Sequence, residues 1–233
     1  MAGHKWLENI LDLIFPVVCA GCGAEGGYLC VPCQQKIEPP APRCWVCSKN
    51  SVFGKNHPAC CGKNIALDGL MVTADYHVRF IQDLIANLKY NSVSAIAKSF
   101  GLLMADYLVR NDLLDFFSSS LVTSIPLHKR RQNSRGFNQA ELIAQNFAGN
   151  LRLSYTPTLE RRLNNPRQVD LERHERLENV RDLFRIRASL SLAGKKIILV
   201  DDVATTGATL NECAKVLKQN QAAEVWGLVV ARN

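Results

Sequence analysis

The chain has 233 residues, 47% of them hydrophobic and 21% charged, a composition that excludes a disordered or low-complexity protein and allows a sizeable core. Its net charge of +7 is unevenly placed, because Pro126 to Arg187 hold 13 Lys and Arg against 7 Asp and Glu. Such a stretch calls for an anionic partner, a phosphorylated small molecule or a nucleic acid, with a merely solvated basic face as the alternative. No run reaches the ~18–20 apolar residues of a membrane-spanning helix. Within Met1–Val18, Glu8 and Asp12 interrupt the apolar Ile10, Leu11, Leu13, Ile14 and Phe15. The segment reads as a short amphipathic helix, not a signal peptide, and a cytoplasmic location is expected.

Eight of the nine cysteines lie between Cys19 and Cys61. Without an export signal, their density points to metal before disulfides. A CxxC turn aims two thiolates at one ion, and a second pair completes a tetrahedron. Cys19, Cys22, Cys30 and Cys33 form a complete structural zinc set. Cys44, Cys47, Cys60 and Cys61 offer a second. Adjacent cysteines crowd one metal, so His57 is an available substitute, and a crossed pairing of the CxxC units is also open. The alternative is reduced structural thiols or a redox dithiol. The segment, residues 1–64, is too poor in apolar side chains to fold alone, so metal would supply its stability.

Residues 65–233 read as a second domain. Leu67–Tyr76 alternates like a strand, and Ile81, Leu84, Ile85 and Leu88 mark Val78–Tyr90 as a helix. A further helix is expected over Ser94–Arg110, a buried strand over Leu121–Ile125, and a helix over Asn138–Phe147. Lys196–Val200 is a second buried strand, Thr209–Gln219 its following helix, with Cys213 packed inward, and Glu224–Val230 a last strand. Strands alternating with helices predict a parallel α/β sheet.

The segment from Ile197 to Thr209 is the most informative in the chain. A buried strand ends in Asp201 and Asp202, and a threonine-rich turn around Gly207 then opens a helix. Free N–H groups and the helix dipole favour an anion there. Gly207 lets the backbone wrap closely, and Thr205, Thr206 and Thr209 add hydroxyl donors. The two carboxylates repel phosphate but suit a ribose diol or a magnesium ion. A phosphate beside a diol describes ribose 5-phosphate. Neither GxxxxGK[ST] nor GxGxxG is present. The pattern resembles the signature of type I phosphoribosyltransferases. That resemblance implies that Asp201 and Asp202 hold the ribose hydroxyls of phosphoribosyl pyrophosphate, with magnesium. It also implies that Ala204, Thr205, Thr206, Gly207, Ala208 and Thr209 cradle its 5′-phosphate.

Pro126-Leu127-His128-Lys129-Arg130-Arg131 reads as a loop beyond a strand C-terminus, where ligands of parallel sheets bind. His128, Lys129, Arg130, Arg131 and Arg135, with Phe137, Asn138 and Gln139, are candidate pyrophosphate or DNA contacts. Phe137 would stack on a base or staple the following helix. Arg161, Arg162, Asn165, Gln168, Arg176, Asn179 and Arg181 crowd a region without obvious strand content and are expected to form a hood.

The CxxC-rich start, Pro126-Leu127-His128, Arg135-Gly136-Phe137-Asn138-Gln139-Ala140, Gln168, Asn179-Val180 and the Asp201-Asp202…Thr205–Thr209 loop stand in one order, from about Leu13 to Arg232. In that order they resemble the ComF family of competence proteins. The resemblance implies a bacterial cytoplasmic protein of natural transformation that meets incoming single-stranded DNA, with a competence helicase and single-strand-handling proteins as partners. It leaves open whether the chain is an enzyme, and no catalytic base can be named. Two departures stand out: Asn165 where family members often carry threonine, and a last cysteine pair compressed to Cys60-Cys61.

Overall fold

The computed structural model describes residues 16–62, 64–91, 93–161, 183–187 and 191–233. The expected N-terminal helix before Pro16, and every expected hood residue except Arg161, lie outside them. Five parallel strands form one sheet in the order β1-β7-β6-β2-β3, with β1 Gly69–Asp75, β2 Leu121–Ser124, β3 Ser154–Tyr155, β6 Lys196–Ala204 and β7 Glu224–Arg232. A separate antiparallel pair joins β4 Leu159–Arg161 to β5 Phe184–Ile186.

The two central strands explain why the sheet is parallel. All seven residues from Val225 to Ala231 are buried, as are Ile197 to Val200. Strands this uniformly apolar need cover on both faces, and strand-helix-strand connections provide it. Side chains alternate accordingly. Ile198, Val200, Trp226, Leu228 and Val230 face a core shared with α2 (Arg79–Tyr90), α3 (Ile96–Arg110), the short α4 (Leu114–Phe117) and α6 (Gln139–Leu151). Ile197, Leu199, Val225 and Val229 face a second core with α7 (Ala208–Gln219), Leu159 and Phe184.

The cysteine segment is not detached from this body. Cys19, Leu29, Cys33 and Ile37 belong to the same apolar core as α2 and α3, and Trp45 packs against the other core. A short helix, α1 (Val31–Gln35), starts just after Cys30 with a proline in its first turn. The carbonyls of Gln34 and Gln35 accept from the Arg110 guanidinium at the end of α3.

The strands and helices expected from residue 65 onward are present with shifted ends, and several short elements join them. β6 does not stop at Val200 but runs on to Ala204 beside β7. The basic stretch expected as a loop is a helix from Lys129, α5 (Lys129–Arg135). His128 Nδ1 accepts from the Arg130 N–H, and Gly136, at φ 80°, ends the helix. Its residues are good helix formers, but none is buried, so no apolar period announced it. The region read as lacking strands, from Arg161 to Arg181, is flanked by β4 and β5, anchored by buried Leu159 and Phe184. Each is only three residues long, too short for alternation to register.

Helices α3 and α6 cross closely at Gly101. A Cβ built there would stand 2.5 Å from Asn146 Cβ and 2.8 Å from the Phe147 nitrogen. Neither neighbour is a flexible side-chain end. Gly101→Val should therefore destabilise the fold by the upper part of the ~1–3 kcal/mol typical of overpacking. Urea unfolding would register this as a lower midpoint at unchanged slope.

Candidate functional site

Because β2 and β6 are parallel neighbours, with Ser124 opposite Val200, the segments that follow them leave from the same end of the sheet. β6 extends four residues past that level, roughly 13 Å at ~3.3 Å per residue. Asp201 and Asp202 therefore lie within the strand, and the Thr205–Thr209 turn stands beyond it. Alternation sends the two carboxylates to opposite faces. Asp202 is buried, meets Lys89 of α2 at 3.1 Å, and accepts from the Val203 N–H at 2.7 Å. Asp201 is half-buried on the α7 face and accepts from the Asp202 N–H. Burial first, then the charge of Asp202, pushes the Asp201 carboxyl up to about 8, against the pull of that N–H and of Lys89. The same burial, with Asp201 nearby, raises the Cys213 thiol well above its ordinary range, which makes it inert core as expected.

At the turn, Gly207 adopts φ 76° and precedes the first residue of α7. The Thr206 hydroxyl accepts from the Ala208 N–H, and the Asn211 N–H donates to the Gly207 carbonyl. Thr205, Thr206 and Thr209 are exposed. The Trp45 ring covers one side: a Cβ on Gly207 would lie 2.9 Å from Trp45 Cε3. Arg232, at the end of β7, donates to the carbonyls of Thr205 and Trp45. Trp45 Nε1 is buried without a hydrogen-bond partner among the described residues. Lys89, Trp45 and Arg232 were not foreseen. Only the place of Trp45 inside a CxxC pair could have drawn attention to it.

Lys129, Arg130 and Arg131 are exposed on α5. Asn138 and Gln139, grouped with them from sequence, are buried. Asn138 Nδ2 donates to the Ile125 carbonyl, so its visible work is to hold α6 against the end of β2. Phe137 is half-buried and packs on the core. The exposed aromatic on this rim is Tyr90, 75% accessible, with the Arg135 guanidinium 5.5 Å from its ring centroid. Beside β2 opens a cavity of about 670 Å³ lined by Ser124, Leu127, Lys129, Arg161, Arg185 and Arg187, among others. Arg185 is paired with Glu160. Arg161 Nε is buried and lacks a hydrogen-bond partner among the described residues.

The cysteines gather into two groups, each with donor atoms within 4.8 Å of one another. In the first, Cys19, Cys22, Cys30 and Cys33, the Cys22 and Cys30 sulfurs are 3.6 Å apart. That is close to the edge of a tetrahedron with ~2.3 Å zinc–sulfur bonds. The second group is Cys44, Cys47, His57 and Cys60. His57 takes the place expected for Cys61, whose sulfur instead reaches the His57 carbonyl. His57 Nδ1 is 3.2 Å from Cys47 Sγ, while Nε2 lies 3.1 Å from the Asn50 carbonyl. Donation from Nε2 leaves Nδ1 free to ligate, the usual outer-sphere support of a metal histidine. The thiols oppose one another's ionisation. The Lys49 N–H, then His57, holds Cys47 down to about 6, whereas Cys47, then burial, pushes Cys60 up to about 11. Both donor sets fit a tetrahedral cation that would let all their thiols ionise, and both could hold zinc.

Residues 133–233, which hold most of the sheet and the Thr205–Thr209 turn, match the family model of the phosphoribosyl transferase domain. The chain is 29% identical to competence protein F of Haemophilus influenzae over 87% of its own length and 90% of the relative's. It is 29% identical to the DNA utilization protein YhgH of Salmonella typhi over 91% and 83%. Competence protein ComFC of Bacillus subtilis is 38% identical over 48% of this chain and 45% of that one. Over most of its length the chain is thus similar to competence protein F and to the DNA utilization protein YhgH. No helix among the described residues is long and apolar enough to cross a membrane.

The raised Asp201 carboxyl makes a pH prediction. A carboxyl that holds its proton more tightly folded than unfolded stabilises fully below its unfolded pKa. That contribution is lost as pH rises toward the folded value of about 8. The melting temperature of the wild type should fall between about pH 4 and pH 8, and Asp201→Asn should flatten the fall. Parallel pH profiles for the two proteins would exclude this role for Asp201.

Proposed function

We propose that the protein handles single-stranded DNA during natural transformation and binds phosphoribosyl pyrophosphate with magnesium through its phosphoribosyltransferase domain. The observation that carries this reading is the shared rim. The Lys129–Arg135 helix and the Thr205–Thr209 turn leave neighbouring parallel strands at the same end of the sheet. The names of the relatives, competence protein F and DNA utilization protein, point the same way.

Each part has a task in this reading. Lys129, Arg130 and Arg131 neutralise backbone phosphates, and Tyr90 with Arg135 offers a stacking face for a base. Amides and hydroxyls from Ala204 to Thr209 take the 5′-phosphate at the start of α7. Asp201 and Asp202, from the two sides of β6, accept from ribose hydroxyls or hold magnesium. Zinc is structural in both cysteine groups. The site of action is the cytoplasm, beside a competence helicase and the single-strand-handling proteins. A transferase reading has one observation of its own, the cavity of about 670 Å³ beside β2, roomy enough for an acceptor base. Its measure is release of pyrophosphate on addition of acceptor.

The decisive experiment titrates labelled single-stranded DNA with the protein across a salt series, with and without magnesium phosphoribosyl pyrophosphate. Binding should weaken with salt, and Arg130→Glu with Arg131→Glu should lower the salt slope by about 0.7 per lost phosphate contact. Affinity and slope that ignore both substitutions would remove α5 from the DNA path. Calorimetry showing no heat with magnesium phosphoribosyl pyrophosphate would remove the small ligand. Displacement of DNA by that ligand would locate both in one crevice.

A further inference from the structure

The second cysteine group does more than fold its own segment. Cys44 and Cys47, two of its four donors, flank Trp45, and the Trp45 ring lies against Gly207 at the centre of the phosphate turn. Arg232 ties the same two segments together through the carbonyls of Trp45 and Thr205, at 3.4 and 3.3 Å. A second path runs through buried amides. The Cys44 thiol meets Asn56 Oδ1 at 3.7 Å, and Asn56 Nδ2 donates to the Leu67 carbonyl. From the opposite side, Asn211 on α7 accepts from the N–H groups of Ala66 and Leu67 and donates to the Asn64 carbonyl. The strap from Asn64 to Leu67 is thus held between the second cysteine group and the helix that the phosphate turn opens. Among the described residues the first group has no such connection. Cys19 and Cys33 pack into the core on the other face of the sheet, with α2 and α3.

We propose that the metal held by Cys44, Cys47, His57 and Cys60 is an organiser of the phosphate turn, with Trp45 as the positioning residue that transmits its presence. A left-handed glycine turn has several backbone conformations open to it. Only one of them presents its amides as an anion cradle, and a rigid ring against Gly207 selects among them. Four metal bonds fix the Cys44–Cys47 turn that carries this ring. Loss of the metal frees Trp45 to rotate away, and the turn then samples conformations that do not bind phosphate. The coupling makes ligand affinity depend on a metal that never touches the ligand. It also makes that affinity sensitive to oxidation or chelation of one thiol group and not the other. The ligand half of this inference rests on phosphoribosyl pyrophosphate as the bound molecule. The structural half does not.

The test compares the zinc-loaded full chain with His57→Ala, Cys22→Ser, Trp45→Ala and Trp45→Phe, first by amide hydrogen exchange without ligand. Exchange from Thr205 to Leu210 should quicken at least tenfold in His57→Ala and Trp45→Ala and stay near wild type in Cys22→Ser and Trp45→Phe. Unchanged protection over Val225–Ala231 would show the sheet intact in each variant. If His57→Ala loses that protection as well, Trp45→Ala, which keeps all four donors, decides. Wild-type protection of the turn in Trp45→Ala would overturn the proposal. Calorimetry with magnesium phosphoribosyl pyrophosphate then follows, where a tenfold or greater loss of affinity is expected for the same two variants only. A wild type that binds none of it would end the small-ligand reading, yet the exchange data would still decide whether the metal organises the turn. Equal affinities in Cys22→Ser and His57→Ala would refute the coupling to ligand.

Discussion

The candidate site of this protein depends on one feature of its sheet: β6 runs four residues beyond the end of β2 while β7 stays paired alongside. That overhang carries Asp201 and Asp202 past the end of β2 and holds the Thr205–Thr209 turn beyond it. Pairing with β7 to Ala204 keeps the overhang rigid, since Val203 and Ala204 still have partners in Ala231 and Arg232. A strand ending at Val200 would leave both acids on a loop. Burial could not then raise the Asp201 carboxyl, and Lys89 would have no fixed partner.

Carboxylates in a strand this apolar are costly unless something compensates them. The two solve the problem differently. Asp202 takes Lys89 and a backbone N–H and remains paired. Asp201, on the other face, accepts from the Asp202 N–H, and burial raises its carboxyl. The two sides of one strand end thus differ in their surroundings, and a cation or a hydroxyl donor arriving at either side meets a different group.

The cysteine segment shows how a stretch poor in apolar residues joins a larger fold. Its first group adds two thiols and two aliphatic side chains to an existing core. Its second group sits against the Thr205–Thr209 turn and α7 through one indole ring and two amide side chains. Such a segment has little reason to move independently of the sheet, and contacts with that turn and with α7 cross the boundary expected near residue 64.

The alternation of apolar strands and amphipathic helices made the parallel sheet legible, because burial on two faces leaves continuous runs such as Val225–Ala231. The strand-to-helix turn at Thr205–Thr209 was legible because a glycine among threonines follows a buried apolar run and opens an amphipathic segment. CxxC spacing marked both cysteine groups, for such a turn brings two sulfurs together wherever the chain goes. Choices between residues of equal chemistry were settled only by packing. His57 and not Cys61 completes the second group, since adjacent cysteines point apart. Phe137 turns into the core while Tyr90, a residue of no recognisable pattern, stays exposed. Asn138 and Gln139 are buried although their neighbours are cationic. Lys89, Trp45 and Arg232 reach the site from α2, the second cysteine turn and β7, segments far apart in the chain. Local sequence determines what a segment can become, but which side chains meet at one end of a sheet is decided by how the strands are ordered and how far each one runs.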